Sequence, residues 1–211
     1  MNKKIIRFSA FAVSLLLALQ LLGCSFGGSA PEETVAPKAV ATSLVSADGI
    51  FYDVYDNGEI TVTGRRDGTA TLAIPDEIEG QPVTVIGKEA FLNDGYLVHV
   101  ELGKNVRQID EKAFCGCTEL VRVDATEGLK VIGYFAFFGC SILSSVNGAT
   151  ELEKILDSAF CACPALCYIN FPDTLTEIGA AAFYNCRSLC EADLPSSVKT
   201  LNGQTFSGCT S

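Results

Sequence analysis

The sequence predicts a repeat solenoid, with one short parallel β-strand and one short helical turn per 23-residue unit, preceded by a β-hairpin cap. Three observations carry this. An Ala-Phe pair recurs every 23 residues, at Ala90-Phe91, Ala113-Phe114, Ala136-Phe137, Ala159-Phe160 and Ala182-Phe183, with Thr205-Phe206 as the sixth member. Cys117, Cys140, Cys163, Cys186 and Cys209 each follow their Phe by three residues. Three apolar columns keep the same step: Leu97, Leu120, Leu143, Leu166 and Leu189; Val100, Val123, Val146, Ile169 and Ala192; Ile86, Ile109, Ile132, Ile155, Ile178 and Leu201. A fixed period of this length marks units that bury too little alone and gain a core by stacking.

The chain opens with "MNKKIIRFSAFAVSLLLALQLLGCS". Three basic residues (Lys3, Lys4, Arg7) precede an apolar run from Phe8 to Leu22. The run is short for a membrane span, and its flanks suit a secretory leader over residues 1–23. The "LLGC" ending at Cys24 resembles the bacterial lipoprotein box, which implies cleavage before Cys24 and a lipid on its thiol. The plainer alternative is an uncleaved anchor helix with an incidental cysteine. Several acyl chains on one residue would hold the chain to the membrane; a single chain would not.

Residues 24–47 read as a disordered tether. The stretch "SFGGSAPEETVAPKAVATS" has few large apolar side chains and cannot fold alone. Coil of about 20 residues holds the next domain roughly 25 Å away.

Residues 48–75 read as an N-terminal β cap. "GIFYDVYDNGEITVTG" is a hairpin around Asn57-Gly58, where a tight turn favours positive φ. "TATLAIP" is a third strand, and the unit covers the exposed first turn of the array.

Residues 76–211 are the repeats. In "LCYINFPDTLTEIGAAAFYNC", Leu166, Ile169 and Phe171 are spaced for a short strand with one side inward. Pro172 and Pro195 stop their strands. Gly87, Asp110, Gly133, Gly179 and Asn202 share one position, and these residue types predict a left-handed turn there. "AAAFYNC" suits a helical turn with Phe and Cys facing the core. The last turn is incomplete at "TFSGCTS", which fits either a truncated chain or an open edge.

The period lies in the leucine-rich-repeat range, and the unit from Leu166 to Cys186 resembles the BspA-like leucine-rich repeat, with its L-x-x-I-x-I-P-x-x-V-x-x-I-G-x-x-A-F-x-x-C pattern. The resemblance covers residues 50 to 211. "IPDEIEGQPVTVIGKEAF" resembles the opening turn of that family. Ala125-Thr126 and Gly148-Ala149 depart from the apolar-Pro step, and Leu156 stands where other turns have Gly. The resemblance implies an exported bacterial protein, and some members act as adhesins toward host matrix proteins or other cells.

Charge narrows the partners. Without the leader, 12 basic residues face 25 acidic ones, a formal charge of −13. Nucleic acid is an unsuitable partner, because phosphate binding needs Lys and Arg. Adsorption to anionic lipid through a basic patch is disfavoured for the same reason, which leaves the lipid anchor as the membrane contact.

Catalysis is not expected. His99 is the single histidine, and neither a nucleophile elbow nor a phosphate-cradling loop occurs. No cofactor is implied. The Cys117-to-Cys209 column reads as core packing, since buried free Cys behaves as a small hydrophobe. Cys115, Cys117 and Cys140 could converge on zinc, but they lack the usual C-x-x-C spacing. C-x-C is likewise not the familiar redox dithiol spacing. Cys167 and Cys190 differ. They hold equivalent places on adjacent turns, roughly 5 Å apart, within disulfide range.

The expected function is a cell-surface lipoprotein that binds protein through its solenoid, the partner being a host matrix protein or another cell surface. The alternative is an envelope-scaffolding lipoprotein without a host ligand. The candidate binding face follows from strand alternation. Glu101, Asp124, Asn147, Asn170 and Asp193 lie between inward positions and point outward. His99, Arg122, Ser145, Tyr168 and Glu191 form the flanking outward column. The same residues also suit a face kept polar for solubility.

Overall fold

The structure, a computed structural model, describes residues 4–7 and 37–210. The apolar run of the expected leader, the expected cleavage and lipid-attachment site at Cys24, and residues 24–36 of the expected tether lie outside the described residues.

The elements run in chain order as β1 (Lys4–Arg7), β2 (Ala39–Val45), β3 (Ile50–Tyr55), β4 (Ile60–Arg65), β5 (Thr71–Ala73), β6 (Glu77–Ile78) and β7 (Gln81–Ile86). The turns then contribute β8 (His99–Glu101), β9 (Gln108–Ile109), β10 (Arg122–Asp124), β11 (Val131–Ile132), β12 (Ser145–Asn147), β13 (Lys154–Ile155), β14 (Tyr168–Ile169), β15 (Glu177–Ile178) and β16 (Glu191–Leu194). Together they make a solenoid of about five turns.

Two parallel ladders climb the stack. The first has the order β5-β8-β10-β12-β14. Its register places Leu72, Val100, Val123, Val146 and Ile169 side by side, all buried. The second joins β7, β9, β11, β13 and β15. It aligns Ile86, Ile109, Ile132, Ile155 and Ile178, again buried. The 23-residue columns therefore dictate register directly, since a one-residue slip would turn each buried row outward.

The third side of each turn carries the aromatic column. Phe91, Phe114, Phe137, Phe160, Phe183 and Phe206 stack face to face with ring centroids 5.1–5.3 Å apart. Burial of one such ring is worth about 1.5–3 kcal/mol, and the stacked geometry adds to it. The backbone beside the rings is bonded from turn to turn. Phe114 N–H donates to Ala136 O and Phe137 N–H to Ala159 O, each at 2.8 Å.

This third side corrects the expected helical turn: the described residues contain no helix. Two residues per turn adopt left-handed backbone and break any helix. One set is Glu89, Lys112, Phe135, Ser158, Ala181 and Gln204, with φ from 52 to 62°. The other, four residues on, is Asn93, Gly116, Gly139, Ala162, Asn185 and Gly208, with φ from 57 to 81°. Bonds from i+3 to i, such as Ala113 N–H to Asp110 O at 3.2 Å and Cys117 N–H to Phe114 O at 3.2 Å, close successive tight turns instead.

The expected left-handed position is also corrected. Gly87, Gly133 and Gly179 are not left-handed. They lie against the backbone of the preceding turn. A Cβ on Gly133 would come within 2.8 Å of Ile109 O, and one on Gly179 within 2.4 Å of Asp157 N.

The cap closes both ladders. The β3–β4 hairpin turns at Gly58, with φ of 78°, and Gly58 N–H donates to Tyr55 O at 2.9 Å. Strand β4 pairs in parallel with β7, so the hairpin finishes the second ladder, while β5 finishes the first. The tether boundary needs correction: β2 lies inside residues 24–47 and pairs antiparallel with β3. Strand β1, within the stretch expected to be a leader, pairs antiparallel with β16, Lys4 opposite Leu194 and Arg7 opposite Glu191.

Candidate binding face

Strand alternation places the expected residues outward on the first ladder. With Val100, Val123, Val146 and Ile169 buried, their neighbours on each strand face away from the core. Register sets His99 beside Arg122, Arg122 beside Ser145, and Ser145 beside Tyr168. It likewise sets Glu101 beside Asp124, and Asp124 beside Asn147.

Five of these residues form one network centred on Asp124. His99 Nε2 lies 2.8 Å from Asp124 Oδ2, and Arg122 Nη2 lies 3.1 Å from the same oxygen. Asn147 Nδ2 donates to Asp124 Oδ1 at 3.1 Å. Glu101 Oε1 stands 3.7 Å from His99 Nδ1. Arg122 Nη2 is also 3.1 Å from His99 Nε2. Both cannot donate along that line, so Nε2–H bonded to Asp124 leaves Arg122 serving the carboxylate. Burial alone would raise the Asp124 carboxyl; hydrogen bonds from Asn147 and His99, with the Arg122 charge, outweigh it and hold the group below its ordinary value.

The chemistry of this network is that of a hydrogen-bonded surface cluster. Ser145 Oγ accepts from Asn147 Nδ2 at 3.3 Å, and His99 is held through Nε2 by Asp124, with Arg122 and Glu101 alongside. Among the described residues, no His99–Ser145 hydrogen bond joins the two, and no group of three His, Cys, Asp or Glu side chains is placed to hold a metal ion.

Beyond the network stands Tyr168, 55 % exposed on β14. Asn170 follows it, half-buried. Glu191 and Asp193 are exposed on β16, which stands outside the ladder that ends at β14. Cys167 and Cys190 are both exposed free thiols.

Two features were not legible as sites in the sequence. Arg65 of the cap, its side chain buried, meets Asp94 of the first turn through Nε and Nη2, both at 2.9 Å from Oδ2. The residues are 29 apart and share no column, so only the fold brings them together. Tyr134, Phe138 and Ile142 are also exposed, with Phe135 edge-on to Phe138 at 5.9 Å. These departures from the 23-residue columns were the available signal.

The fold and its buried columns define a leucine-rich-repeat solenoid. The chain belongs to the BspA type leucine rich repeat region family, whose model matches residues 84–211 with six copies. It is similar to a solved leucine rich repeat protein of T. pallidum, at 30% identity and a TM-score of 0.72, over 78% of this chain and 78% of that one. A leucine-rich repeat protein of Bacteroides ovatus is 32% identical with a TM-score of 0.69, over 77% of this chain and 44% of that one. No curated protein matches the chain.

Proposed function

We propose that the chain is an exported lipoprotein, anchored through Cys24, whose first-ladder face holds a protein partner, and that it works as a binder and not as an enzyme. The observation that carries the binding half is Tyr168. It is a large aromatic, 55 % exposed, on a strand fixed by the parallel ladder. Tyr is enriched at the energetic centres of protein contacts, and a regular ladder offers it at little ordering cost. The Asp124 network lies beside it and presents fixed donors and acceptors. The acidic balance of the chain suits a basic or polar partner, on a host matrix protein or another cell surface. The anchor half rests on the leader and its "LLGC" ending.

The test has two arms. Cys24→Ala should move the protein from the membrane to the soluble fraction or stall it as precursor, and unchanged detergent-dependent attachment would overturn the anchor. For binding, the purified chain is presented to immobilised matrix proteins. Tyr168→Ala should weaken capture by roughly tenfold or more, the loss of over about 1.4 kcal/mol expected at a contact centre. Tyr96→Ala, at an exposed tyrosine outside the face, should leave capture unchanged. Equal loss in both variants, or a domain that protease cannot remove from whole cells, would overturn surface binding through this face.

A further inference from the structure

The cysteines among the described residues fall into three groups. Cys117, Cys140, Cys163, Cys186 and Cys209 are buried and donate their thiols to backbone carbonyls. Cys115 and Cys161 are half-covered, and burial pushes both thiols up. Cys167 and Cys190 remain, both exposed.

These two occupy one column, Val98, Val121, Ser144, Cys167 and Cys190. Backbone bonds climb it step by step: Val121 N–H to Val98 O at 2.8 Å, Ser144 N–H to Val121 O at 2.9 Å, and Cys167 N–H to Ser144 O at 3.1 Å. The next turn is seated on the same stack just before the pair, where Ser188 N–H donates to Pro164 O at 3.0 Å. Paired strands lower in the column stand about 5 Å apart, the stacked rings of Phe183 and Phe206 carry a 5.3 Å spacing on to the last turn, and a disulfide spans Cα atoms about 4.4–6.8 Å apart. The Cys167 thiol now faces Ser144 O at 3.4 Å.

The location matters. The first ladder ends at β14, and β16 is not paired to it. The two cysteines immediately precede these strands. We infer that Cys167 and Cys190 form an intramolecular disulfide that joins the turn of β14 to the turn of β16 where strand pairing does not. The bond also fixes the spacing of Tyr168 and Glu191, the next residue after each cysteine. The oxidant is an external disulfide. One cysteine thiolate attacks it, forming a mixed disulfide and expelling one thiol; the second cysteine thiolate then displaces the other. Two protein thiols are oxidised, one external disulfide is reduced to two thiols, and the two protons end on those thiols. The inference rests on the shared 23-residue column, on the stacking of the last turns and on exposure, independently of any partner.

The test uses the purified full chain with oxidised glutathione, followed by alkylation of the native protein and peptide mass analysis. In the reduced protein Cys167 and Cys190 should be alkylated before the buried column. After oxidation both should lose their alkylation together, appear as one linked peptide pair within a monomer, and separate on reduction. The oxidised protein should melt at higher temperature than the reduced one. Cys167→Ser and Cys190→Ser should each abolish the rise and carry a glutathione adduct on the remaining cysteine. Glutathione adducts on both cysteines of the wild type, links between chains only, or pairing of either with another cysteine would overturn the inference.

Discussion

Cys140 Sγ lies 3.1 Å from the carbonyl oxygen of Phe114 in the preceding turn and donates its thiol proton to it. The relation repeats at Cys117–Phe91, Cys163–Phe137, Cys186–Phe160 and Cys209–Phe183, at 2.9–3.3 Å. The cysteine column is therefore more than small apolar filler. The carbonyls bonded by Cys140, Cys163 and Cys209 also accept the N–H of a cysteine within their own turn, as Phe114 O does from Cys117 at 3.2 Å.

Removing that donor should cost less than removing a ring. Cys140→Ala loses one thiol bond and leaves a small void, for about 1–2 kcal/mol. Phe160→Ala opens the middle of the ring stack and should cost about 3–5 kcal/mol. Urea melts of the two variants give the comparison; a Phe160→Ala variant as stable as wild type would remove the stack from the account of the core.

Stability should fall in alkali. Burial raises the thiols of Cys117, Cys163 and Cys186 far above the ordinary 9.0, and those of Cys161 and Cys209 to about 11. Unfolded thiols ionise near the ordinary value while folded ones stay protonated. The stabilisation is thus complete below pH 9.0 and is lost as pH climbs through the folded values. Denaturant midpoints measured from about pH 8 to about pH 11 should decline, and Cys209→Ala should flatten the slope. A level profile would contradict the buried, protonated column.

Gly133→Ala should destabilise by about 1–3 kcal/mol, as overpacking does, because its Cβ would meet Ile109 O at 2.8 Å. Gly95, with open space around it, is the control, and its alanine variant should be near neutral. Equal melting of the two would mean that the turns separate easily at Gly133.

The period made much of the fold legible. The Val100 and Ile109 columns are rows of the two ladders because burial and register repeat together. The second ladder was harder to read as strand, since two-residue strands such as Gln108–Ile109 hold no alternation. The missing helix was hidden because Lys112, Phe135, Ser158 and Ala181 take left-handed backbone without being Gly or Asn. Strand β2 was hidden by "AVATSLV", whose short side chains resemble tether. At the candidate face, the outward columns named every member of the Asp124 network. Their pairing follows from adding 23 to each number, but the choice of Asp124 as centre needed side-chain geometry.

The backbone bonds between turns have a mechanical consequence. They run along the stack on three sides, at the two ladders and at the Phe column. Tension between the cap and the last turn therefore loads successive junctions in series, so the weakest junction yields first and the others keep their rings stacked. Each turn that peels away frees 23 residues, or about 76–83 Å of extended chain. Such a molecule lengthens under load in discrete steps, one turn at a time, and can recoil onto the turns that remain.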